Sequence, residues 1–154
     1  MIVYNDIKRQ FVNDVKDNSI ADKILEAIKM RGLNAGHEKE YSSWQNSMQF
    51  MRNIVDDSDI DDEVRICIEY NIPLTSKRVD FIIAGADNYG KDNIVIVELK
   101  QWQKAEVVAD DMHYCVRTYV ANSDRIVCHP SYQAYSYSCF LRNYSQSLAD
   151  EDIS

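Results

Sequence analysis

Apolar residues in the first third of the chain recur at helical spacing. Ile7, Phe11 and Val15 follow at steps of four, then Ile20, Ile24, Leu25 and Ile28 take up the pattern, which predicts two helices within residues 6 to 31. Ser19 with Asp22 resembles a capping box at the second start, and Gly32 is the expected stop. A third helix is predicted over residues 38 to 55, where Trp44, Met48, Met51 and Val55 form an apolar stripe. Glu40 lies one turn before Trp44 and is expected on the same, core-facing side, where a carboxylate needs a partner.

The period then changes to two. Val64, Ile66, Ile68 and Tyr70 alternate with Arg65, Cys67 and Glu69, and a strand is expected to close at Asn71-Ile72-Pro73. Further strands are expected over Arg78–Ala84 and Ile94–Lys100, joined by a turn-rich loop from Gly85 to Asn93, so that the three form a meander. The unbroken apolar run Ile94–Val97 predicts a strand covered on both faces. Beyond Lys100, a hairpin is expected with Tyr114–Val120 and Arg125–Cys128 around residues 121 to 124. A helix is then expected from Pro130 to about Ser147, with proline in the tolerated first turn.

A length of 154 residues suits one compact domain. No apolar run approaches the roughly 18 to 20 residues that span a bilayer, and the polar N-terminus lacks a signal peptide's apolar core, so the expected location is cytoplasmic. Cys67, Cys115, Cys128 and Cys139 have no Cys-x-x-Cys spacing, and no disulfide is expected. The net charge of −8 argues against a nucleic-acid partner, but six acids fall between Asp56 and Glu63 and three more in Asp150-Glu151-Asp152. Without those nine the balance is +1, so the acidity belongs to one solvated loop and one tail.

Symmetric pairing of the second and third meander strands sets Ala84 opposite Ile94, Ile82 opposite Ile96 and Asp80 opposite Glu98. Carboxylates facing one another at about 5 Å repel, so something positive is expected between them. Lys100 projects from the same face, two residues beyond Glu98. A divalent ion answers the two acids best, because Mg²⁺ takes hard oxygen ligands and is commonly held by one or two carboxylates plus water and phosphate. Asp80 and Glu98 are the expected ligands of Mg²⁺ or Mn²⁺, with Glu40 as a third acid. Lys100 is expected to orient the attacking water and stabilise charge on the phosphate.

The sequence Arg78-Val79-Asp80-Phe81, then Val97-Glu98-Leu99-Lys100, resembles the PD-(D/E)xK nuclease superfamily. Gln133 and Tyr137 match the Q-x-x-x-Y element of its RecB-like members. Segments Glu40–Ser47, Glu69–Phe81, Glu98–Trp102 and His129–Ala134 are similar to the N-terminal nuclease-like domain of bacterial proteins with a downstream Schlafen-type DNA/RNA helicase module. The resemblance implies an α/β fold of restriction-endonuclease type. Its αβββαβ core has a mixed sheet flanked by helices, preceded here by extra N-terminal helices (residues 1–37) ahead of a nuclease-like domain (38–154), and the chain ends near where the last core strand would fall.

The resemblance also implies a metal-dependent nuclease acting on DNA in preference to RNA, in a helicase-linked, defence or repair setting. Glu40, Asp80, Glu98 and Lys100 are the implied catalytic set, with Gln101, Gln133 and Tyr137 as accessory positions. Apart from the resemblance, the basic residues Lys77, Arg78, Lys104, Arg117, Arg125 and Arg142 fit a nucleic-acid-binding phosphate track and fit scattered solubility charges equally well.

Plainer readings stand beside these. Asp80, Glu98 and Lys100 also fit a surface charge ladder, and Glu40 fits a helix N-terminal acid. Trp44, Trp102 and the aromatics around Tyr132, Tyr135, Phe140 and Tyr144 are expected to be packing residues. Adjacent Cys128-His129 is a poor zinc chelate, and the cysteines do not suit an iron–sulfur cluster. Two other function classes remain, a catalytically silent nucleic-acid-binding module and an acidic interaction or inhibitor protein.

Overall fold

The computed structural model describes residues 2–32, 38–108 and 112–144. It is of mixed α/β class, with helices and two antiparallel sheets among those residues. The chain divides into two compact units between Val97 and Glu98. The boundary expected at residues 37 and 38 therefore falls inside the first unit.

In the first unit β1 (Ile2–Ile7) leads into α1 (Lys8–Lys16), α2 (Ile20–Met30) and α3 (Glu38–Val55), followed by β2 (Arg65–Asn71), β3 (Arg78–Ala86) and β4 (Asp92–Val97). The sheet order is β1-β2-β3-β4, every pair antiparallel. The β2–β4 meander is as the alternation predicts. β1 is not, because the helical pattern was read back to residue 6, whereas Ile2 to Ile7 extend along β2 in a register running from Ile2–Tyr70 to Ile7–Arg65.

α1 and α2 pack on β1, and α3 packs on both helices. Phe11, Val15, Ile24, Met48, Val55, Ile66, Val79 and Phe81 form the buried centre, with the Phe11 and Phe81 rings edge to face at 5.4 Å. The predicted α3 stripe of Trp44, Met48, Met51 and Val55 is buried as expected. Gly32 stops α2 with φ +66°, the left-handed conformation glycine adopts without steric cost. The expected capping box does not form, since Ser19 has helical φ and ψ and its hydroxyl donates back to the Asp14 carbonyl.

Two expectations for β4 are corrected. The strand ends at Val97, not Lys100, and it is an edge strand with Val95 half exposed, not a strand covered on both faces. Its β-branched run reflects fit to the pleat. Burial falls instead on β2, between β1 and β3, where Ile66 to Glu69 are all buried.

The second unit has β5 (Ala105–Val107), β6 (Cys115–Val120) and β7 (Ser123–Cys128) in a sheet of that order, then α4 (Pro130–Tyr144). β5 was not anticipated. The β6–β7 hairpin was, and it turns through Ala121 and Asn122, both with positive φ, as a two-residue turn requires. The expected extension of α4 to residue 147 and the acidic run 150–152 lie outside the described residues. No parallel strand pair occurs among the described residues, so both sheets are antiparallel where a mixed one was expected.

The acidic loop is less freely solvated than its composition suggests. Lys8, 4% exposed, donates to the carbonyls of Asp57 and Ile60 and pairs with Asp62 at 3.0 Å, while Lys16 and Arg9 pair with Asp56 and Glu63. Removing the Lys8 ammonium takes the side-chain donor from the Ile60 carbonyl and one of two donors from the Asp57 carbonyl, which keeps the Ile60 N–H at 3.2 Å, and it unpairs Asp62. Lys8→Met is expected to cost about 2–3 kcal/mol in denaturant unfolding. Arg9→Ala, at an exposed pair, should cost less than about 1 kcal/mol, and equal losses would refute this account of the loop.

Candidate active site

The sequence candidates fall into two groups, one in each unit. In the first, the predicted β3–β4 register is observed, with Ala84 opposite Ile94 and Ile82 opposite Ile96, and its last pair is Phe81–Val97. Asp80 and Glu98 are the next residue on each side of that pair. Asp80 is half-buried in β3, between the buried Val79 and Phe81. Arg78 begins the strand, 41% exposed at its side chain, and Lys77 is exposed in the preceding turn.

The residue that organises this group was missed by sequence reasoning. Glu69 is 5% exposed in β2 and has φ +58°, a left-handed conformation that glutamate seldom adopts. The β2 registers pair Ile68 with Phe81 and Tyr70 with Val79, which sets Glu69 and Asp80 across from each other. The Trp44 indole N–H donates to Glu69 Oε1 at 2.8 Å, and the Arg78 guanidinium is ion-paired with the same carboxylate. Its sequence signal was symmetric pairing about the turn 72 to 77, which puts an acid opposite Asp80. Alternation alone assigned Glu69 to the polar face of its strand.

Glu40 reaches the same guanidinium at 3.9 Å and is 47% exposed at its side chain. It therefore stands at the rim of the α3 interface, not on the core-facing side expected, because the buried stripe starts a turn later at Trp44.

In the second unit Glu98, Lys100, Gln133 and Tyr137 form one hydrogen-bonded chain. The Glu98 side chain is 3% exposed, and its Oε1 accepts from the Lys100 ammonium and the Gln133 amide, each at 2.5 Å. Gln133 is also 2.8 Å from the hydroxyl of the buried Tyr137. The i, i+4 spacing on α4 puts both residues on one face, as expected. Gln101 is exposed. Among the described residues no group of three or more His, Cys, Asp or Glu side chains gathers that could hold a metal ion.

Other candidates separate clearly. Tyr132 and Tyr135, expected to pack, are 40% and 64% exposed. Lys104 is occupied by Glu106, and Arg125 donates to Ser123. No protein-family profile, curated protein or solved structure matches the chain.

Burial holds the Glu69 carboxyl above the ordinary value of 4.5, against the pull of Arg78 and Trp44, and Asp80 and Glu40 add to the rise. A carboxyl that binds its proton more tightly folded than unfolded stabilises the fold when protonated. That contribution is lost as pH rises from about 4.5 through the folded value. The stability margin of the protein over Glu69→Gln, measured by denaturant unfolding, should therefore shrink as pH is raised from 4.5. A margin that grows over that interval contradicts the dominance of burial.

Proposed function

We propose that the protein is a metal-dependent phosphodiesterase of PD-(D/E)xK type acting on nucleic acid, DNA in preference to RNA. The observation that carries this reading is the Glu98–Lys100–Gln133–Tyr137 chain, four residues picked out by motif and found in direct hydrogen-bonding contact.

Asp80 and Glu98 are each hard oxygen donors of the kind that suits Mg²⁺ or Mn²⁺. When bound, the ion supplies Lewis acidity toward a phosphate oxygen and lowers the pKa of its water. Gln133 and Tyr137 fix the Glu98 carboxylate in one orientation. The Lys100 ammonium, 26% exposed and held by Glu98, stabilises negative charge developing on the phosphoryl group. Arg78 is braced by Glu69 and Glu40 and offers its exposed edge to a backbone phosphate. In this reading Glu40 works through Arg78, Lys77 adds an exposed positive charge beside Arg78, and Gln101 is an exposed polar neighbour of Lys100. A helicase module or subunit is the proposed partner, in defence or repair.

A second reading is binding of nucleic acid without cleavage, which the exposed edge of Arg78 serves equally well. Single- and double-stranded DNA and RNA incubated with Mg²⁺ or Mn²⁺ decide between them. Cleavage is expected to vanish with chelator and to fall by at least about 100-fold in both Asp80→Asn and Lys100→Ala, with circular dichroism checking that each variant still folds. Metal-dependent binding or salt-sensitive retention of nucleic acid without cleavage would leave the second reading, and neither binding nor cleavage would remove both.

A further inference from the structure

The second unit carries a feature that the hydrolytic chemistry does not use. Tyr114, just before β6, stacks on Tyr132 of α4 with ring centroids 4.3 Å apart and planes 30° apart, and Tyr132 in turn lies 6.3 Å from Tyr135 at 35°. The three rings form a row that is 60%, 40% and 64% exposed. Together with His113, His129 and Ser131 they line a concavity of about 460 Å³, within the range of small-ligand sites. Aromatic surface in mutual contact yet left open to water is the composition of a binding site, not of a core.

We propose that this tyrosine row is a stacking platform for the unpaired bases of a single-stranded nucleic acid. The proposal rests on the nucleic-acid reading above and adds strand type to it. Tyrosine faces accept any base, because every base presents a π-face. The polar groups of the wall suit base edges. His129 Nδ1 accepts the Ser131 backbone N–H at 3.1 Å, so its neutral imidazole carries the proton on Nε2 as a donor, and the Ser131 hydroxyl both donates and accepts.

Charge also favours a polyanion here more than elsewhere on the chain. None of the six lining residues is a carboxylate. Residues 98–151 hold five Lys or Arg and seven Asp or Glu, a smaller excess of acid than the twelve against seventeen of residues 1–97. A proline-rich peptide also stacks on aromatic grooves, but it has no use for paired base-edge donors or for freedom from carboxylates.

The test is fluorescence anisotropy in chelator, so that no cleavage intervenes, with three probes: a labelled oligothymidine, the same length of abasic backbone, and a duplex. The full chain should bind oligothymidine at least tenfold more tightly than either of the others. Tyr132→Ala and Tyr135→Ala should each lose about tenfold or more for oligothymidine while binding the abasic strand as before. Tyr132→Phe, which keeps the ring, should retain affinity, and circular dichroism of each variant checks the fold. Equal binding of thymidine and abasic strands, unchanged affinity in both alanine variants, or capture of a proline-rich peptide with no oligonucleotide binding would each overturn the platform. Base-dependent binding without hydrolysis would leave the platform standing and remove only the phosphodiesterase. Hydrolysis with base-independent binding would do the reverse.

Discussion

A carboxylate withdrawn from water must find its donors and cations inside the protein, and Glu69 imposes that requirement where α3, β2 and β3 meet. The Trp44 indole and the Arg78 guanidinium meet it, one from the helix and one from the next strand. That draws Arg78 toward the sheet, brings Glu40 to its outer side and fixes what lies beside Asp80. The left-handed backbone at Glu69 is the conformational cost of the arrangement. An ion pair with one partner buried and the other 41% exposed adds little net stability, so its value lies in fixing the orientation of Arg78.

The elements legible in the sequence were those with local causes. Repeats of three and four residues gave α2 and α3, alternation gave β2 and β3, and the Ala121-Asn122 turn lies inside the loop predicted between the strands it joins. β1 was hidden because Ile2 to Ile7 make a strand only through pairing with residues some sixty positions away, while Ile7 also begins a helical pattern. The β4 run announced a strand but not its place, since edge or centre depends on sheet order.

The candidate site was legible to a similar degree. Hairpin pairing and motif spacing together selected Glu98 and Lys100, the Q-x-x-x-Y spacing selected Gln133 and Tyr137, and the four are in contact. Glu69 escaped notice because its φ and its Trp44 contact are tertiary properties. Tyr132 and Tyr135 were assigned to packing because an aromatic-rich helix says nothing about which of its rings find a cover. Glu40 was placed correctly on its helix but too deep, since the spacing of a stripe does not say where the interface stops.

Lys8 offers a different kind of consequence. Loops dense in aspartate commonly owe their shape to a dissolved ion, and they loosen when the supply of that ion falls. Here the neutralising charge is tethered to the backbone of α1, so it cannot be diluted away or stripped by a chelator. The segment from Asp57 to Asp62 thus keeps its shape through changes in ionic surroundings that would unfasten a loop dependent on borrowed calcium.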